Sequence, residues 1–312
     1  MRRGSTRDAR RGAAVTSGVV TSGLVCVDKP AGWTSHDVVA RVRTLAGTRR
    51  VGHAGTLDPM ATGVLLLGVD RATKLLGHLA LHDKEYQATI RLGESTVTDD
   101  AEGEVTARAP AAWVTPEAVR AVLAGMVGEL DQVPSAVSAI KVGGARAHAR
   151  VRAGERVELA PRRVTVSRLA VHAVRRPAPD LLDCDVTVEC SAGTYIRAIA
   201  RDLGTVLGVG GHLTALRRTR VGGFGLDRCA TLDQLAELPD PVTVLLDDVV
   251  VAAFPRREVD DEQARLLAHG GRLSPVGIGG TYGVFGPDGA VIALVEERAG
   301  AARPVVVLRP AG

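Results

Sequence analysis

The spacing of apolar residues along the chain predicts a mixture of strands and helices. The runs 24–27 and 64–69 are continuously apolar and of strand length, while residues 182–190 alternate apolar and polar side chains without interruption. Residues 86–92 alternate in the same way, with Tyr86 on the apolar side. These four segments are therefore predicted strands, and Tyr86 is expected to point inward.

Two helices are predicted from hydroxyl residues that precede apolar positions at helical spacing. Ser35 precedes an apolar face that ends near Gly47, and Thr115 is followed by Pro116 at the first helical position. A hydroxyl oxygen can accept a hydrogen bond from a free amide of the first turn, so Ser35 and Thr115 are the predicted N-caps.

A third helix is predicted directly after the alternating strand at 182–190. Apolar residues between 196 and 203 fall on one helical face, and Gly204 is the predicted stop. Arg197 would then lie in the first turn of this helix, beside the apolar face.

The character of the sequence changes after about residue 250. Asp260 is the predicted cap of a short helix over 262–269, and a Pro-Asp-Gly turn at 287–289 joins predicted strands at 281–285 and 290–295. Short strands with one helix suggest a small barrel-like unit. Because strands and helices intermix along the chain without a regular βαβ repeat, the predicted fold class is α+β with a mixed sheet.

Composition limits the class of protein and the kind of site. At 312 residues and 46% apolar content, the chain has room for one large domain and a smaller one. No apolar stretch reaches the roughly 18 residues of a membrane span, so no membrane association is expected. The cysteines lack CxxC or metal-ligand spacing, which predicts a cytoplasmic protein with reduced thiols. The acidic run at 98–104 is not a calcium loop, because Ala101 and Gly103 stand where oxygen ligands are needed.

Charge is distributed unevenly along the chain. The formal net charge of +4 is concentrated in a short arginine-rich segment at the N-terminus, so residues 1–21 are predicted to form a disordered basic tail. The remaining body is close to neutral, but arginines cluster at 162–163, 175–176 and 217–220. Aromatic residues make up only 3%, which favours RNA recognition through shape and phosphates over a sheet of stacking rings.

The most specific chemistry lies in HAGTLDPMATG, residues 53–63. Pro59 disfavours helical backbone at Asp58, and the flanking glycines allow close approach of another segment, so one carboxylate is held on a loop. An Asp-Pro pair between glycines is by itself usually only a turn. Three further segments give it a context: DKPAGWTS at 28–35, KEYQATIRLG at 84–93 and SAGTYIRAIARDLG at 191–204.

These four segments, in this order, resemble motifs of the TruB family of bacterial pseudouridine synthases. The resemblance implies the pseudouridine synthase fold, a mixed and largely antiparallel sheet flanked by helices, with a small C-terminal β-barrel-like domain of the PUA type. It implies an isomerase that flips uridine 55 out of the T loop of tRNA and converts it to pseudouridine without cofactor, metal or guide RNA. The expected domains are 22–250 for catalysis and 251–312 for RNA binding, in a monomer that also assists tRNA folding.

The resemblance carries three catalytic residues onto this chain: Asp58 as the nucleophile, Tyr86 and Arg197. Isomerisation breaks the C1′–N1 bond, turns the uracil and joins C1′ to C5, and a carboxylate can act as nucleophile at C1′ or as base at C2′. Both routes need an ionised Asp58, whereas burial would raise its pKa, so an ion pair with Arg197 is predicted. Tyr86 is expected to stack on the base and to take part in removing the C5 proton.

Further residues are expected to bind the RNA. Leu216 would pack against the flipped base, and His53 would serve as a wedge or stacking residue rather than as an acid or base. The lysine and proline of the 28–35 segment help to build the active-site wall in the family. The candidate phosphate contacts are Lys29, Lys74, Arg217, Arg218 and Arg220. The chain departs from the family at Val137 and His148, where tyrosines are common.

Three other functions compete with this interpretation. An RNA-binding protein or chaperone without turnover is disfavoured because Asp58, Tyr86 and Arg197 are all intact. A glycosidase needs two carboxylates flanking the scissile bond, and no second acid accompanies Asp58 in the motif at 53–63. An RNA-guided synthase is disfavoured by His53, which the guided relatives lack.

Overall fold

The computed structural model describes residues 20–135, 141–142, 145–146 and 159–311. The basic tail expected at 1–21 lies outside this range except for its last two residues, and Val137 and His148 lie outside it as well. None of the helices in the described ranges combines the length and apolarity needed to cross a membrane.

Short helices alternate with strands along the chain, together with two 3-10 helices at Asp70–Leu75 and Leu226–Arg228. The α-helices are α1 (Ser35–Leu45), α2 (Leu76–Leu79), α3 (Pro116–Ala124), α4 (Ile196–Val206), α5 (Leu232–Glu237), α6 (Leu246–Ala253) and α7 (Asp261–Ala268). The strands are β1 (Gly23–Lys29), β2 (Val51–His53), β3 (Thr62–Val69), β4 (Lys84–Leu92), β5 (Glu94–Thr96), β6 (Val105–Arg108), β7 (Gly128–Gln132), β8 (Lys141–Val142), β9 (Ala145–Arg146), β10 (Arg162–Ala178), β11 (Leu181–Cys190), β12 (Gly211–Val221), β13 (Phe224–Gly225), β14 (Val244–Leu245), β15 (Arg256–Glu258), β16 (Thr281–Phe285), β17 (Val291–Arg298) and β18 (Ala301–Val307).

A large mixed sheet forms the centre of the molecule. Its strands run in the order β14-β1-β3-β12-β4-β11-β10-β7, with β13 beside β12 and β2 beside β3. Every pairing within it is antiparallel except β12 with β3, which is parallel over the short stretch where Arg217 and Arg218 face Thr62 and Gly63. This confirms the predicted α+β class with a largely antiparallel sheet.

The alternation in β4 and β11 places their apolar side chains in one core. Tyr86, Ala88 and Ile90 are buried together with Val186 and Val188 of the neighbouring strand, and α1, α3 and α4 pack on this side of the sheet. The intervening residues of both strands are polar. Tyr86 therefore points inward, as its position in the pattern predicts.

Two predicted helix ends are wrong, both because a contact outside the helix decides them. The N-cap of α1 is Thr34, whose hydroxyl accepts from the Asp37 amide at 3.1 Å, while Ser35 is buried and its hydroxyl bonds the loop at Leu57. Gly204 does not end α4, which continues to Val206. A Cβ at Gly204 would lie 2.1 Å from the backbone of Gly210, so glycine is required there for close packing.

The predicted caps at Thr115 and Asp260 are confirmed. The side chain of Thr115 accepts from the Ala118 amide and Pro116 occupies the first turn of α3, while Asp260 accepts from the Gln263 amide at the start of α7. In both cases the cap is satisfied by its own helix, so sequence neighbours alone decide it.

The C-terminal strands form a second sheet in the order β15-β16-β17-β18. This confirms the predicted small strand-rich unit. Its sheet is open, because within the described residues β18 does not pair with β15 to close a barrel. Phe285, Val291 and Leu294 of this sheet share one apolar cluster with Leu24 and Leu66 of the central sheet. The C-terminal sheet therefore packs against the central sheet through this shared apolar cluster.

Candidate active site

The loop that carries Asp58 connects β2 to β3 and is fastened at two points. Ser35 Oγ accepts from the Leu57 amide at 2.9 Å and lies 3.1 Å from its carbonyl oxygen, to which it donates. Gly63 has φ of +97°, and a Cβ there would lie 2.1 Å from the carbonyl oxygen of Arg218. Only glycine permits this approach of β3 to β12, which places the loop beside β12.

Asp58 and Arg197 form the predicted ion pair. Arg197 Nε lies 3.0 Å from Asp58 Oδ2, which confirms the pairing. Arg197 occupies the first turn of α4 with its side chain only 6% exposed, whereas the Asp58 side chain is 36% exposed. The guanidinium is therefore held by the protein, and the carboxylate is the partner that stays open to a substrate.

A second carboxylate, Asp100, shares the same guanidinium. Asp100 is buried, and its Oδ2 lies 3.4 Å from Arg197 Nη1, which also donates to the Thr98 carbonyl at 2.8 Å. The Thr98 hydroxyl and the Glu102 amide donate to Asp100 Oδ1 and fix its orientation. Asp100 was not among the predicted site residues, although an acidic run without a metal-binding pattern is a signal for an arginine partner.

Burial is the largest influence on Asp58 and raises the pKa of its carboxyl above the ordinary value. The charge of Arg197 lowers this pKa, and the charge of Asp100 raises it further. The charge of Arg197, which also contacts Asp100, offsets only part of the cost of burying the Asp58 carboxylate. Asp58 is thus a carboxylate of increased basicity, which suits a base or a nucleophile.

Tyr86 lies on β4 directly opposite Arg218 of β12. Burial raises the pKa of the Tyr86 hydroxyl, and the guanidinium of Arg218, which hydrogen-bonds that hydroxyl, acts in the opposite direction. The hydroxyl is therefore held in place by a cation in the interior of the protein.

These residues surround a single cavity of about 280 Å³. Its lining includes Asp58, Lys84, Tyr86, Arg197, Leu216 and Arg218. The three predicted catalytic residues are thus brought together from a loop, a strand and a helix that lie far apart in the chain. Leu216, predicted to contact the base, lies in the same wall and is largely buried.

The prediction that Lys29 and Arg218 contact phosphate is not supported, because both side chains are buried. Lys29 Nζ donates to the carbonyls of Pro30, Trp33 and Pro59, and burial lowers its pKa to about 8. Since an ammonium has three N–H donors, Lys29 is fully used in holding the wall beside Asp58.

The other candidate phosphate contacts are engaged within the protein. Arg217 pairs with Asp28 at 2.7 Å, and Arg220 pairs with Asp83 at 2.8 Å. Lys74 donates to the Val307 carbonyl and so ties the central domain to the C-terminal sheet. These three side chains remain partly exposed, so a phosphate could reach them only as an additional partner.

His53 ends β2, next to the loop that carries Asp58. Its ring lies edge-on to that of His36, with centroids 5.7 Å apart, and burial lowers its pKa. Its Nδ1 is buried and has no hydrogen-bond partner in the described part of the chain. A neutral ring of this kind fits contact with a base, and its role stays a prediction.

Family models match almost the whole described chain. Residues 43–196 match "TruB family pseudouridylate synthase (N terminal domain)", residues 197–251 match "tRNA pseudouridylate synthase B C-terminal domain", and residues 254–309 match "tRNA Pseudouridine synthase II, C terminal".

Curated relatives named tRNA pseudouridine synthase B match over nearly the full length. The protein of Rhodococcus jostii is 60% identical and covers 95% of this chain and 97% of its own. That of Thermobifida fusca is 59% identical and covers 92% of this chain and 99% of its own.

Solved structures with the same fold are more distant in sequence. A chain of a Cbf5-Nop10-Gar1 complex has a TM-score of 0.72 and 24% identity, covering 93% of this chain and 86% of its own. A chain of an H/ACA RNP bound to a substrate RNA containing 2′-deoxyuridine has a TM-score of 0.69 and 23% identity. The match covers 92% of this chain and 85% of that one. At this identity the likeness concerns the fold alone.

Proposed function

The chain belongs to the TruB family of pseudouridylate synthases and is therefore an isomerase, and from this premise we propose that its substrate is uridine 55 in the T loop of tRNA. The relatives at 57–60% identity are named for tRNA, whereas the likeness to the H/ACA structures is much weaker in sequence. This contrast supports a free-standing tRNA enzyme over an RNA-guided one.

The observation that carries the proposal is the Asp58–Arg197 ion pair in a cavity shared with Tyr86. A volume of about 280 Å³ suits a pyrimidine nucleotide rather than a stretch of duplex. Because a base stacked in a folded loop cannot reach a carboxylate inside such a cavity, the target nucleotide must flip out of the RNA. Leu216 packs against the flipped base. His53, which lies next to the Asp58 loop, fills the space that the base leaves in the T loop of the tRNA.

The reaction proceeds through an ionised Asp58. The carboxylate either attacks C1′ or removes the proton at C2′; in both routes the C1′–N1 bond breaks and its electron pair stays with the uracil. The uracil then turns and C5 bonds to C1′, while the Asp58–C1′ bond breaks in the first route or Asp58 returns the proton to C2′ in the second. Tyr86 lies against the ring and takes part in removing the C5 proton, which completes the isomerisation. Arg197 keeps Asp58 ionised and oriented until the carboxylate reacts.

The C-terminal domain at 251–312 contributes a fixed surface for the RNA. Its sheet shares an apolar cluster with the central sheet, so its position relative to the active site is set before binding. A rigid second contact would help to orient the T arm over the cavity without ordering cost at the moment of binding.

The proposal is tested by tritium release. The purified full chain is incubated, without guide RNA or added metal, with a tRNA transcript carrying tritium at C5 of its uridines, beside an Asp58→Ala variant. We expect release by the parent protein alone, and only when uridine 55 is present. Binding of the transcript without release, or release that persists when uridine 55 is replaced, would contradict the proposed reaction or its proposed site.

Neutralising Asp100 is expected to slow catalysis without weakening RNA binding. In Asp100→Asn, Arg197 loses its buried second partner, so the guanidinium shifts toward Asp58 and misplaces the carboxylate. A misplacement of about 1 Å can cost on the order of 100-fold in rate. The measurement is the single-turnover rate of pseudouridine formation together with the affinity for tRNA.

The matched control for this prediction is Asp99→Asn. Asp99 is the neighbouring residue. Its carboxylate accepts a hydrogen bond from Ser135 at 2.7 Å and pairs with Arg201 rather than with Arg197. Its φ of +59° is a conformation that asparagine tolerates. Equal rate losses in both variants would show that the acidic loop as a whole, and not the link from Asp100 to Arg197, matters.

A further inference from the structure

Two buried cations, Lys84 and Arg218, line the same cavity as Asp58. Lys84 Nζ donates to the carbonyls of Ala80 and His82 at 2.9 and 2.6 Å. Arg218 Nε donates to the Val64 carbonyl at 2.7 Å, and its two other nitrogens lie 3.3 and 3.4 Å from the Asp58 loop carbonyls of Gly55 and Thr56.

The two side chains converge on one point of the Asp58 loop. A Cβ added to Gly55 would lie 3.8 Å from Arg218 Nη1 and 4.0 Å from Lys84 Cε. Lys84 also lies two residues before Tyr86 on β4, so both project from the same face of the strand. The cavity therefore has an Asp58–Arg197 pair on one wall and two cations beside Tyr86.

Neither cation has a carboxylate partner in the part of the chain that the structure describes. Arg197, in contrast, pairs with both Asp58 and Asp100. Burial, followed by the nearby charge of Arg218, lowers the pKa of Lys84 to about 8. Buried charges in proteins are usually paired, so two unpaired cations in a cavity indicate that the missing negative charge arrives with the substrate.

The proposed reaction generates such a charge. When the C1′–N1 bond breaks, its electron pair remains on N1, and the detached uracil is an anion whose charge spreads over N1 and the ring oxygens. The charge disappears when C5 bonds to C1′, and the base then stays neutral because the proton that C5 loses is matched by one taken up at N1. Both routes open to Asp58 pass through this anion, so its stabilisation does not depend on which of them operates.

We propose that Lys84 and Arg218 hold the negative charge of the detached uracil while it turns, an inference that rests on the proposed isomerisation. Lys84 is the catalytic residue of the two, because two of its three N–H donors go to carbonyls and the third has no acceptor among the described residues. That donor contacts a ring oxygen of the base. Arg218 is a positioning residue, which anchors the Asp58 loop and Tyr86 and adds its charge to the site.

The test compares two substrates with the same set of variants. Lys84→Met and Lys84→Gln remove the charge, the latter keeping a donor for the carbonyls, and Lys84→Arg keeps the charge. Each is assayed in single turnover on tRNA with uridine or 5-fluorouridine at position 55, at a pH below neutrality where N3 of either base keeps its proton. The readout is the disappearance of the original nucleoside, because fluorine leaves no C5 proton to remove and the later steps of the two substrates differ. Fluorine withdraws electrons from the ring, so the fluorinated anion needs less help from the protein.

We expect the neutral variants to convert the uridine substrate about 100-fold more slowly, the effect of losing one donor to a developing anion. Their loss on the 5-fluorouridine substrate should be several-fold smaller, KM should change little, and Lys84→Arg should retain most of the activity. Thermal unfolding of each variant shows whether it is folded.

Equal losses of rate on the two substrates would mean that Lys84 is only structural. A higher KM with an unchanged rate would mean that Lys84 binds phosphate. Either result overturns the inference, as would unchanged rates with an unchanged KM. A parent protein inactive on uridine 55 would instead overturn the proposed function, so the two failures are distinguishable.

Discussion

An Asp58→Asn variant is expected to lose pseudouridine formation while still binding tRNA. Asparagine has nearly the same shape but can neither attack C1′ nor accept the proton from C2′, so single-turnover rates should fall by about 10⁴-fold or more. Arg197 keeps its contacts with Asp100 and Thr98, so the substitution does not leave this guanidinium without a partner. The melting temperature should therefore change by no more than about 4 °C, the shift produced by ~1 kcal/mol in a domain of this size.

The measurement combines quantification of pseudouridine in a tRNA transcript with binding by filter retention or fluorescence. Asp99→Asn serves as the control for removing a carboxylate nearby. An Asp58→Asn protein that keeps a tenth or more of the activity would exclude Asp58 as the group acting on the sugar. A folded variant that no longer binds tRNA would show that Asp58 is needed for binding rather than for the chemical step.

Removing the charge of Arg197 is expected to reduce both activity and stability. In Arg197→Met, Asp58 and Asp100 lose their common cation and are left as two neighbouring carboxylates. Breaking a fully buried pair costs about 3–5 kcal/mol. Because the Asp58 side chain is 36% exposed, we expect a smaller loss of about 2–4 kcal/mol in the free energy of unfolding at neutral pH.

The pH dependence of this variant has a definite sign. Burial already raises the pKa of Asp58 while Arg197 lowers it, so removing the arginine raises the pKa further. A carboxyl whose pKa is higher in the folded than in the unfolded state binds more protons when folded, so its unfavourable contribution to stability disappears as pH falls. The stability deficit of Arg197→Met should therefore shrink from neutral pH toward mildly acidic pH. The pH at which its activity falls on the acid side should be higher than in the parent protein.

Chemical denaturation at several pH values and a rate profile on tRNA would measure both effects. Arg197→Lys is the matched variant: it keeps a charge, but a compact ammonium cannot bridge two carboxylates and the Thr98 carbonyl as a planar guanidinium does. We expect it to be more stable than Arg197→Met and still much slower than the parent protein. A stability deficit in Arg197→Met that is independent of pH would show that lost packing, not the carboxylate pair, is responsible.

Local patterns predicted much of the central sheet because they depend on neighbours in sequence. The alternation in β4 and β11 identifies both strands and the inward side of Tyr86, and the caps Thr115 and Asp260 bond within their own first turns. Ser35 is the contrasting case. Its position also fits a cap, but a hydroxyl has one donor and two acceptor sites, and a loop more than twenty residues away occupies them.

The basic residues illustrate the same limit. Neighbouring arginines at 217 and 218 look alike in the sequence, yet strand geometry sends them to opposite faces of the sheet. Arg217 remains partly exposed in a pair with Asp28, whereas Arg218 is buried beneath the Asp58 loop. The spacing within KEYQ places Lys84 beside Tyr86, since residues two apart on a strand share a face. The sequence does not show that Lys84 lacks a counter-charge among the described residues.

The sequence by itself determined the fold class, through short-range periodicity, and the four motif segments. The pairing of Asp58 with Arg197 was predicted from the resemblance of two of these segments to motifs of one family. Only the tertiary structure decided that Asp100 shares Arg197, that Gly204 serves packing rather than termination, and that Lys84 and Arg218 are buried without carboxylate partners in the described residues. These features depend on the burial of a charge and on the strand that lies beside it, and both are set by contacts between distant segments of the chain.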